Sequence, residues 1–224
     1  ISGLLNEKIS SLPWLGTFHS VSAKLLRRHA QAVGLNSHFT IIDQEDQLRL
    51  IKNICKAENF DIKKISPQFI LSFINQWKNK GLLPKNVKAK TGAPLEKAIL
   101  NVYKFYQERL KILNSCDFGD LILLCVTMFE NYPDILELYL NNFKYILVDE
   151  YQDSNFIQSK WLNLLAKKNN NICCVGDDDQ SIYSWRGAEI RNFLDFSKTY
   201  KNTKTIKLEQ NYRSTQNILS AASG

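Results

Sequence analysis

An apolar run, Tyr145-Ile146-Leu147-Val148, ends directly in two carboxylates, Asp149 and Glu150. Such a run is typical of a central parallel strand that is buried on both faces. A carboxylate at a rigid strand end can bind Mg²⁺, which prefers few protein ligands plus water and substrate phosphates. An adjacent glutamate can polarise an attacking water. Taken alone, the pair is more often a plain polar strand terminus.

A second group of polar and aromatic residues follows the next apolar run, at 176–187. It contains three successive carboxylates, which repel one another and are unusual without cations nearby. Gln180 can donate to or accept from a phosphate or a water. Tyr183 and Trp185, beside Arg186, suit a surface that stacks on bases and meets phosphate. The alternative is two core aromatic residues beside a salt-bridged arginine.

Two further segments place polar residues where a strand meets a helix. Arg213 follows the run 205–208 and can present a guanidinium to a transferring phosphate. Thr17 and His19, at a predicted helix N-terminus, suit a phosphate contact. The alternatives are a structural arginine, and a helix cap beside a surface histidine.

The elements that must position these residues alternate between strands and helices. After Asp117 the pattern predicts a helix over 121–129, a strand over 145–148, a helix over 156–166 capped by Ser154, and strands over 171–175 and 205–208. This order predicts an α/β fold with a doubly wound parallel sheet, whose strand C-termini bind ligands. Near the start, 15–19 predicts a short strand that leads into a helix over about 20–33.

The middle of the chain is predicted to be helical and basic. Asp43 and Ser66 are typical N-cap residues, and the lysine-rich segment 82–94 predicts a loop. A helix over 95–113 is expected to bury one stripe, formed by Ile99, Val102, Phe105, Tyr106 and Leu110. Residues 40–116 hold 14 basic and 7 acidic residues. We interpret them as a helical unit inserted between two parts of another domain.

Charge is distributed unevenly along the 224 residues. Residues 1–116 hold 18 Lys and Arg against 8 Asp and Glu, whereas 117–224 hold 11 against 14. The basic half favours a polyanionic partner, although solvated helix faces would give the same numbers. With 44% hydrophobic and 23% charged residues, a disordered or collagen-like chain is excluded.

The sequence shows no signal for a membrane or for export. No apolar run reaches about 18 residues, and the start of the chain lacks a basic region followed by an apolar one. Five cysteines without zinc-ligand spacing indicate reduced, buried thiols in a cytoplasmic protein: Cys55, Cys116, Cys125, Cys173 and Cys174. Because the chain starts without Met, we interpret it as an excerpt of a longer protein.

Taken together and in their order along the chain, these segments resemble motifs of the UvrD/Rep/PcrA group of superfamily 1 DNA helicases. The resemblance covers nearly the whole chain. The matching segments are 149–155 (motif II), 175–188 (motif III), 208–215 (motif IV), 16–28 (motif Ib) and 117–121 (an Asp-Phe-Asp-Asp-Leu element). Three residues depart from the family pattern: Ser154 replaces the usual Thr, Ser184 a frequent Gly, and Gly119 an Asp.

The resemblance implies a RecA-like fold. Residues 1–39 and 117–204 would form subdomain 1A, with the helical residues 40–116 inserted as a 1B-like subdomain near duplex DNA. Residues 205–224 would begin the second RecA-like subdomain.

The resemblance also implies a role for each nucleotide-site residue. Asp149 would coordinate Mg²⁺, and Glu150 would orient or activate the hydrolytic water. Gln180 would lie at the γ-phosphate and link it to the DNA contacts. Tyr212 would lie against adenine, and Arg213 would act as an arginine finger.

On the DNA side, the resemblance implies that Thr17 and His19 touch the DNA backbone. Tyr183 and Trp185 would stack on single-stranded bases, with Arg186 beside them.

The parent protein would be an ATP-dependent 3′→5′ DNA helicase at single-strand/duplex junctions, in repair or replication. ATP and Mg²⁺ would be its cofactors, DNA and repair proteins its partners, and the bacterial cytoplasm or nucleoid its location. The phosphate-binding loop needs Gly-Lys-Ser or Gly-Lys-Thr, and neither occurs among the nine glycines. We therefore expect this chain alone to be inactive. The alternatives are a fragment that only binds single-stranded DNA, a RecB-like helicase–nuclease, and a decayed reading frame.

Overall fold

The computed structural model describes residues 12–60, 65–88 and 93–223. The expectation about the start of the chain, and part of the predicted 82–94 loop, lie outside these residues. The chain divides into one compact unit up to Leu194 and a second from Asp195. The first unit contains, in order, α1 (Phe18–Arg28), β1 (Thr40–Ile41), α2 (Gln44–Ala57), α3 (Pro67–Asn79), α4 (Pro94–Ile112), β2 (Ser115–Cys116), α5 (Phe118–Asn131), α6 (Pro133–Asn142), β3 (Ile146–Val148), α7 (Phe156–Ala166), β4 (Ile172–Cys174) and α8 (Arg191–Leu194).

Helices α2, α3 and α4 pack around one apolar core. The Asp43 carboxylate caps α2 and the Ser66 hydroxyl caps α3, as predicted. Pro67 begins α3 directly after this cap. On α4 the predicted stripe is wrong at Phe105, which is 37% exposed, whereas Tyr103 is fully buried. The stacked rings of Trp77 and Tyr103, 5.7 Å apart, explain the difference, because they place Tyr103 between α3 and α4.

The ends of the helical unit lie side by side. Strands β1 and β2 pair in parallel, with Thr40 opposite Ser115 and Ile41 opposite Cys116. The chain therefore leaves and re-enters the rest of the first unit at adjacent points.

Helix α5 is central to the remainder of the first unit. Its buried residues lie around most of its circumference: Leu121, Ile122, Leu123, Cys125, Val126, Met128 and Phe129. A helix that is apolar on all sides must be covered on all sides, and α1, α3, α6 and α7 pack against it. Within the described ranges, no helix is both long and apolar enough to cross a bilayer.

The predicted single doubly wound sheet is not observed among the described residues. Instead β1–β2 and β3–β4 form two separate parallel pairs, and in the second Leu147 lies opposite Cys173. The prediction that strand 145–148 is buried on both faces is wrong, because Leu147 is 79% exposed. Cys173 is exposed and Cys174 half-buried, which also corrects the expectation of five buried thiols. The cause is that no described element covers the outer face of this pair.

Three further predictions are corrected by the structure. Residues 15–16 form no strand, because the Thr17 side chain caps α1 at once. Helix α1 is also shorter than predicted, ending at Arg28, and a separate 3₁₀ turn covers Ala30–Val33. Asn155, and not Ser154, caps α7, since the Asn155 carboxamide accepts the Gln158 N–H and the Gln158 side chain reciprocates.

The second unit contains α9 (Phe196–Thr199) and α10 (Gln216–Ser223). The predicted strand over 205–208 is not formed there, and Ile206 and Leu208 are 71% and 86% exposed. A strand is maintained by pairing with a neighbour, and the structure describes none for this segment.

Candidate functional site

The two carboxylates after β3 lie in a sharp exposed turn. Asp149 Oδ1 accepts the backbone N–H of Glu150 at 3.0 Å. Glu150 itself has φ 52° and ψ 43°, in the left-handed region. A non-glycine residue there carries a backbone cost of about 1–3 kcal/mol, and such residues cluster at functional sites. The turn holds both carboxylates at the C-terminal end of the β3–β4 pair.

Gln152 connects this turn to the loop after β4. Its buried carboxamide donates from Nε2 to Glu150 Oε2 at 2.7 Å and accepts the Asp177 N–H at Oε1, at 3.2 Å. A Cβ on Gly176 would lie 2.6 Å from Gln152 Oε1. Glycine at 176 therefore leaves room for this close approach.

Asp177 extends the connection to Gln180. One oxygen of the Asp177 carboxylate accepts the Asp179 N–H at 3.1 Å, and the other accepts Gln180 Nε2 at 2.7 Å. A continuous hydrogen-bonded path, the Glu150–Gln180 path, thus joins Glu150, Gln152, Asp177 and Gln180. The path therefore links the loop after β3 to the loop after β4, at the strand ends where ligands bind in parallel sheets.

Asp149 fits the mode in which proteins hold Mg²⁺. Among the residues that the structure describes, no three Asp, Glu, His or Cys side chains gather into a metal cluster. Mg²⁺ usually takes only one or two carboxylates and completes its shell with water and substrate phosphates. The exposed Asp149 carboxylate, at the end of a strand, suits that arrangement.

Three side chains in the loop after β4, those of Tyr183, Trp185 and Arg186, form an aromatic surface. The Arg186 guanidinium carbon lies 4.9 Å from the ring centre of Tyr183 and 4.6 Å from that of Trp185. The two rings are 6.4 Å apart and inclined at 55°, and Trp185 is 72% exposed. The alternative of two core aromatic residues is wrong for Trp185. A flat exposed ring beside a cation suits base stacking with a nearby phosphate.

The predicted backbone-contacting residues lie at the start of α1. The Thr17 hydroxyl oxygen accepts the Ser20 N–H at 3.2 Å, which is the helix-cap role. The His19 ring is half-buried and meets Phe118 edge-on at 5.8 Å. Burial lowers the pKa of His19 below its ordinary value, because the imidazolium is desolvated. Their predicted DNA contacts stay predictions.

Tyr212 and Arg213 lie in the second unit. Tyr212 is 91% exposed, and the Asn211 side chain accepts the backbone N–H groups of Arg213 and Ser214, each at 2.9 Å. This turn presents both predicted side chains outward. Their roles at adenine and phosphate stay predictions.

A buried ionic cluster, which we did not predict from the sequence, joins the helical unit to α5. The Lys78 ammonium lies 2.6 Å from Asp117 Oδ2 and 2.8 Å from Asp120 Oδ1, and all three side chains are buried. The Tyr106 hydroxyl donates to Asp117 at 2.8 Å, and Gln107 Nε2 donates to Asp120 at 2.7 Å. We call these five residues the Lys78 cluster.

The pKa values of the two carboxyl groups in the Lys78 cluster are shifted in opposite directions. Burial and the neighbouring Asp117 charge raise the pKa of Asp120 to about 6. Burial also opposes ionisation of Asp117, but the Lys78 charge and hydrogen bond outweigh it and lower the pKa of that carboxyl. One ammonium thus faces two carboxylates, and it favours the ionised form of Asp117 more strongly than that of Asp120.

Two sequence features could have indicated this cluster. Asp117 and Asp120 form a reciprocal capping box at the start of α5. Lys78 falls beside Ile74 and Trp77 on the buried side of α3. A Cβ on Gly119 would lie 2.9 Å from Lys78 Cδ, so glycine at 119 leaves room for the buried lysine side chain.

Residues 1–201 match the family model described as UvrD/REP helicase N-terminal domain. The chain belongs to the UvrD/REP helicase family. This confirms the resemblance drawn from the motifs.

Several curated proteins are similar to this UvrD/REP-type chain. A probable DNA helicase II homolog of Rickettsia felis is 50% identical over 212 residues, covering 93% of this chain and 32% of that protein. ATP-dependent DNA helicase PcrA of Staphylococcus epidermidis is 46% identical over 209 residues, covering 93% and 29%. PcrA of Leuconostoc citreum is 44% identical over 222 residues, covering 99% and 30%. The chain spans about a third of the length of these relatives.

Proposed function

We propose that this chain is the part of an ATP-dependent DNA helicase that connects the nucleotide to single-stranded DNA. The observation that carries this proposal is the Glu150–Gln180 path, which runs from the carboxylate turn after β3 into the loop that bears Trp185. The names of the relatives, DNA helicase II and PcrA, support the same class of activity.

On the nucleotide side, Asp149 is the residue to hold Mg²⁺ together with the phosphates of ATP. Bound Mg²⁺–ATP supplies the phosphoryl group that is transferred to water. Glu150 Oε2 is occupied by Gln152, so Oε1 is the oxygen that can orient a water and take its proton. Gln180 is exposed and already linked to Asp177, and it is suited to contact the terminal phosphate.

On the DNA side, the exposed Trp185 ring stacks on a base, with Tyr183 beside it. Arg186 lies over both rings and meets a backbone phosphate. Thr17 and His19 add contacts to the strand. A single-stranded segment at a single-strand/duplex junction is the substrate, with 3′→5′ movement and a role in repair or replication in the bacterial cytoplasm.

Two features of the fold support a RecA-like subdomain with an insertion. The outer face of β3–β4 exposes apolar residues such as Tyr145 and Leu147, as a sheet does before its remaining layer is added. The paired ends of 40–116 support a helical 1B-like insertion. We assign the described parts of residues 1–39 and 117–204 to subdomain 1A, and those of residues 205–224, which include Tyr212 and Arg213, to the start of the second subdomain.

The experiment is a comparison of the 224-residue chain with the full-length protein that contains it. The chain has no Gly-Lys-Ser or Gly-Lys-Thr to hold the phosphates, so ATP turnover should require the longer protein. The full-length protein should hydrolyse ATP faster with oligo(dT) and displace a strand from a 3′-tailed duplex. A full-length protein that binds oligo(dT) without turnover would favour the DNA-binding alternative. Clear turnover by the 224-residue chain would contradict the division proposed here.

A further inference from the structure

The last residue of α3, Asn79, contacts both loops of the proposed site. Its Oδ1 accepts a hydrogen bond from Asn155 Nδ2 at 3.2 Å. Its Nδ2 donates to the backbone carbonyl of Arg186 at 3.4 Å. A single half-buried carboxamide from the helical unit therefore bridges the segment that follows the carboxylate turn and the loop that carries the aromatic surface.

Both partners of Asn79 are themselves held in place. The Asn155 side chain caps α7 through Oδ1, at 3.0 Å from the Gln158 nitrogen, so its amide group is the free end that reaches Asn79. Arg186 is followed by Gly187, whose φ is 91° and where an added Cβ would lie 3.1 Å from Asn79 Nδ2. The loop therefore turns away immediately after the carbonyl that Asn79 contacts.

The end of α3 is a fixed support for this bridge. Lys78, the preceding residue, is fully buried between the carboxylates of Asp117 and Asp120. Because the Lys78 side chain is clamped on α5, the last turn of α3 has little freedom to shift. Asn79 is therefore attached to a fixed helix end and can hold the two loops in place.

A second connection between the loops runs behind the first. The Ser154 carbonyl accepts the Glu189 N–H at 2.9 Å and Asn192 Nδ2 at 3.1 Å. This connection holds the C-terminal side of the aromatic loop, whereas Asn79 holds the Arg186 carbonyl, directly beside Trp185. Of these two connections, the one through Asn79 is nearer in sequence to the stacking residue, Trp185.

We infer that Asn79 is a positioning residue that holds the Tyr183–Arg186 loop against the Asp149–Asn155 segment, so that DNA on Trp185 accelerates turnover at Glu150. This inference rests on the proposed function. Asn79 contacts neither ATP nor DNA in this account. Its removal should reduce the coupling between the two ligands while each ligand still binds.

The test uses the full-length protein with Asn79→Ala, Asn79→Asp and the control Asn75→Ala. Aspartate at 79 keeps the acceptor for Asn155 but loses the donor to the Arg186 carbonyl. Asn75 is exposed one turn earlier on α3. ATP hydrolysis is measured with and without oligo(dT), together with oligo(dT) affinity and thermal unfolding.

For both Asn79 variants, we expect the stimulation of kcat by oligo(dT) to fall about tenfold, equivalent to about 1.4 kcal/mol of coupling. Basal kcat, the KM for ATP and oligo(dT) affinity should match those of Asn75→Ala. Stimulation equal to the control in both Asn79 variants would overturn the inference, and so would an equal loss of basal and stimulated kcat. If Asn79→Ala fails to fold, Asn79→Asp decides alone. An unstimulated wild-type protein would instead reject the proposed function.

Discussion

The Gln152 carboxamide donates a 2.7 Å hydrogen bond to the Glu150 carboxylate from a fully buried position. Glu150 itself is exposed and held in a left-handed backbone conformation. A buried neutral amide thus fixes one oxygen of an exposed carboxylate and leaves the other free. In a water-activating glutamate, this arrangement sets the direction in which the free oxygen points.

Replacing Gln152 with Ala should leave the Glu150 carboxylate without the hydrogen bond that orients it. Glu150 loses a charge-assisted hydrogen bond and the Asp177 N–H loses its acceptor, and bonds to charged groups contribute about 1.5–3 kcal/mol. We expect kcat of the full-length ATPase to fall by about 10–100-fold, with oligo(dT) affinity unchanged. The exposed Gln68→Ala is the matched control. A Gln152→Ala enzyme with the control's kcat would contradict the positioning role.

Removing the exposed indole should weaken DNA binding. Trp185→Ala is expected to reduce the affinity of the full-length protein for oligo(dT) by about 1–3 kcal/mol, the usual contribution of one base–aromatic stack. Trp185→Phe should lose less, because a smaller ring still stacks. Fluorescence anisotropy of labelled oligo(dT) measures both, with Tyr132→Ala, another exposed aromatic residue, as control. Equal affinities for Trp185→Ala and the control would leave Trp185 without a DNA role.

Loss of the buried ammonium should destabilise the chain strongly. Lys78→Met leaves two buried carboxylates without their cation, and breaking such a pair costs about 3–5 kcal/mol. Lys80→Met, two residues later and exposed, should change the free energy of unfolding by less than about 0.5 kcal/mol. Urea unfolding followed by circular dichroism compares the two. Similar midpoints for both variants would show that the cluster contributes little.

The Asp120 carboxyl should make stability fall as pH rises. Its pKa of about 6 in the folded chain is above the ordinary 3.8, so between these values the folded state binds more protons than the unfolded state. Its contribution is therefore complete below about pH 4 and is lost as pH rises through about 6. The pKa of Asp117 is lowered, so its contribution to stability changes only at pH values below this range.

Comparison with Asp120→Asn isolates this carboxyl from the other titrating groups. The free energy of unfolding of the wild type, relative to Asp120→Asn, should fall by on the order of 2–3 kcal/mol between pH 4 and pH 7. Urea unfolding at several pH values measures the difference. Parallel pH profiles for the two proteins would show that Asp120 has an ordinary pKa.

Local signals predicted the helices well. Asp43, Ser66 and the proline after Ser66 specify helix starts through their own side chains and φ angles, so α2 and α3 begin where the sequence predicts. The positions of Asp149 and Asp177 after the ends of β3 and β4 were also predictable, because both residues follow short apolar runs. In each case the deciding interaction lies within a few residues.

Interactions between distant residues account for what was missed. Lys78 is buried because Asp117, 39 residues later, lies opposite it. The apolar run that contains Leu147 has the composition of a strand buried on both faces. Leu147 is nevertheless exposed, because burial also depends on which elements cover the sheet. Gln152 gave no signal of its own, since its role requires Glu150 and Asp177 to meet at the same edge.

We propose that Glu150 activates the water that attacks ATP, and that DNA binds to different residues, Tyr183, Trp185 and Arg186, on the connected loop. The most direct measurement is ATP hydrolysis by full-length Glu150→Gln with oligo(dT), alongside oligo(dT) affinity. Glutamine has nearly the same shape but cannot take a proton, so kcat should fall by about 10²–10⁴-fold, the usual contribution of a general base. The affinity for oligo(dT) should match that of the wild type. Wild-type turnover in the Glu150→Gln protein would contradict the account.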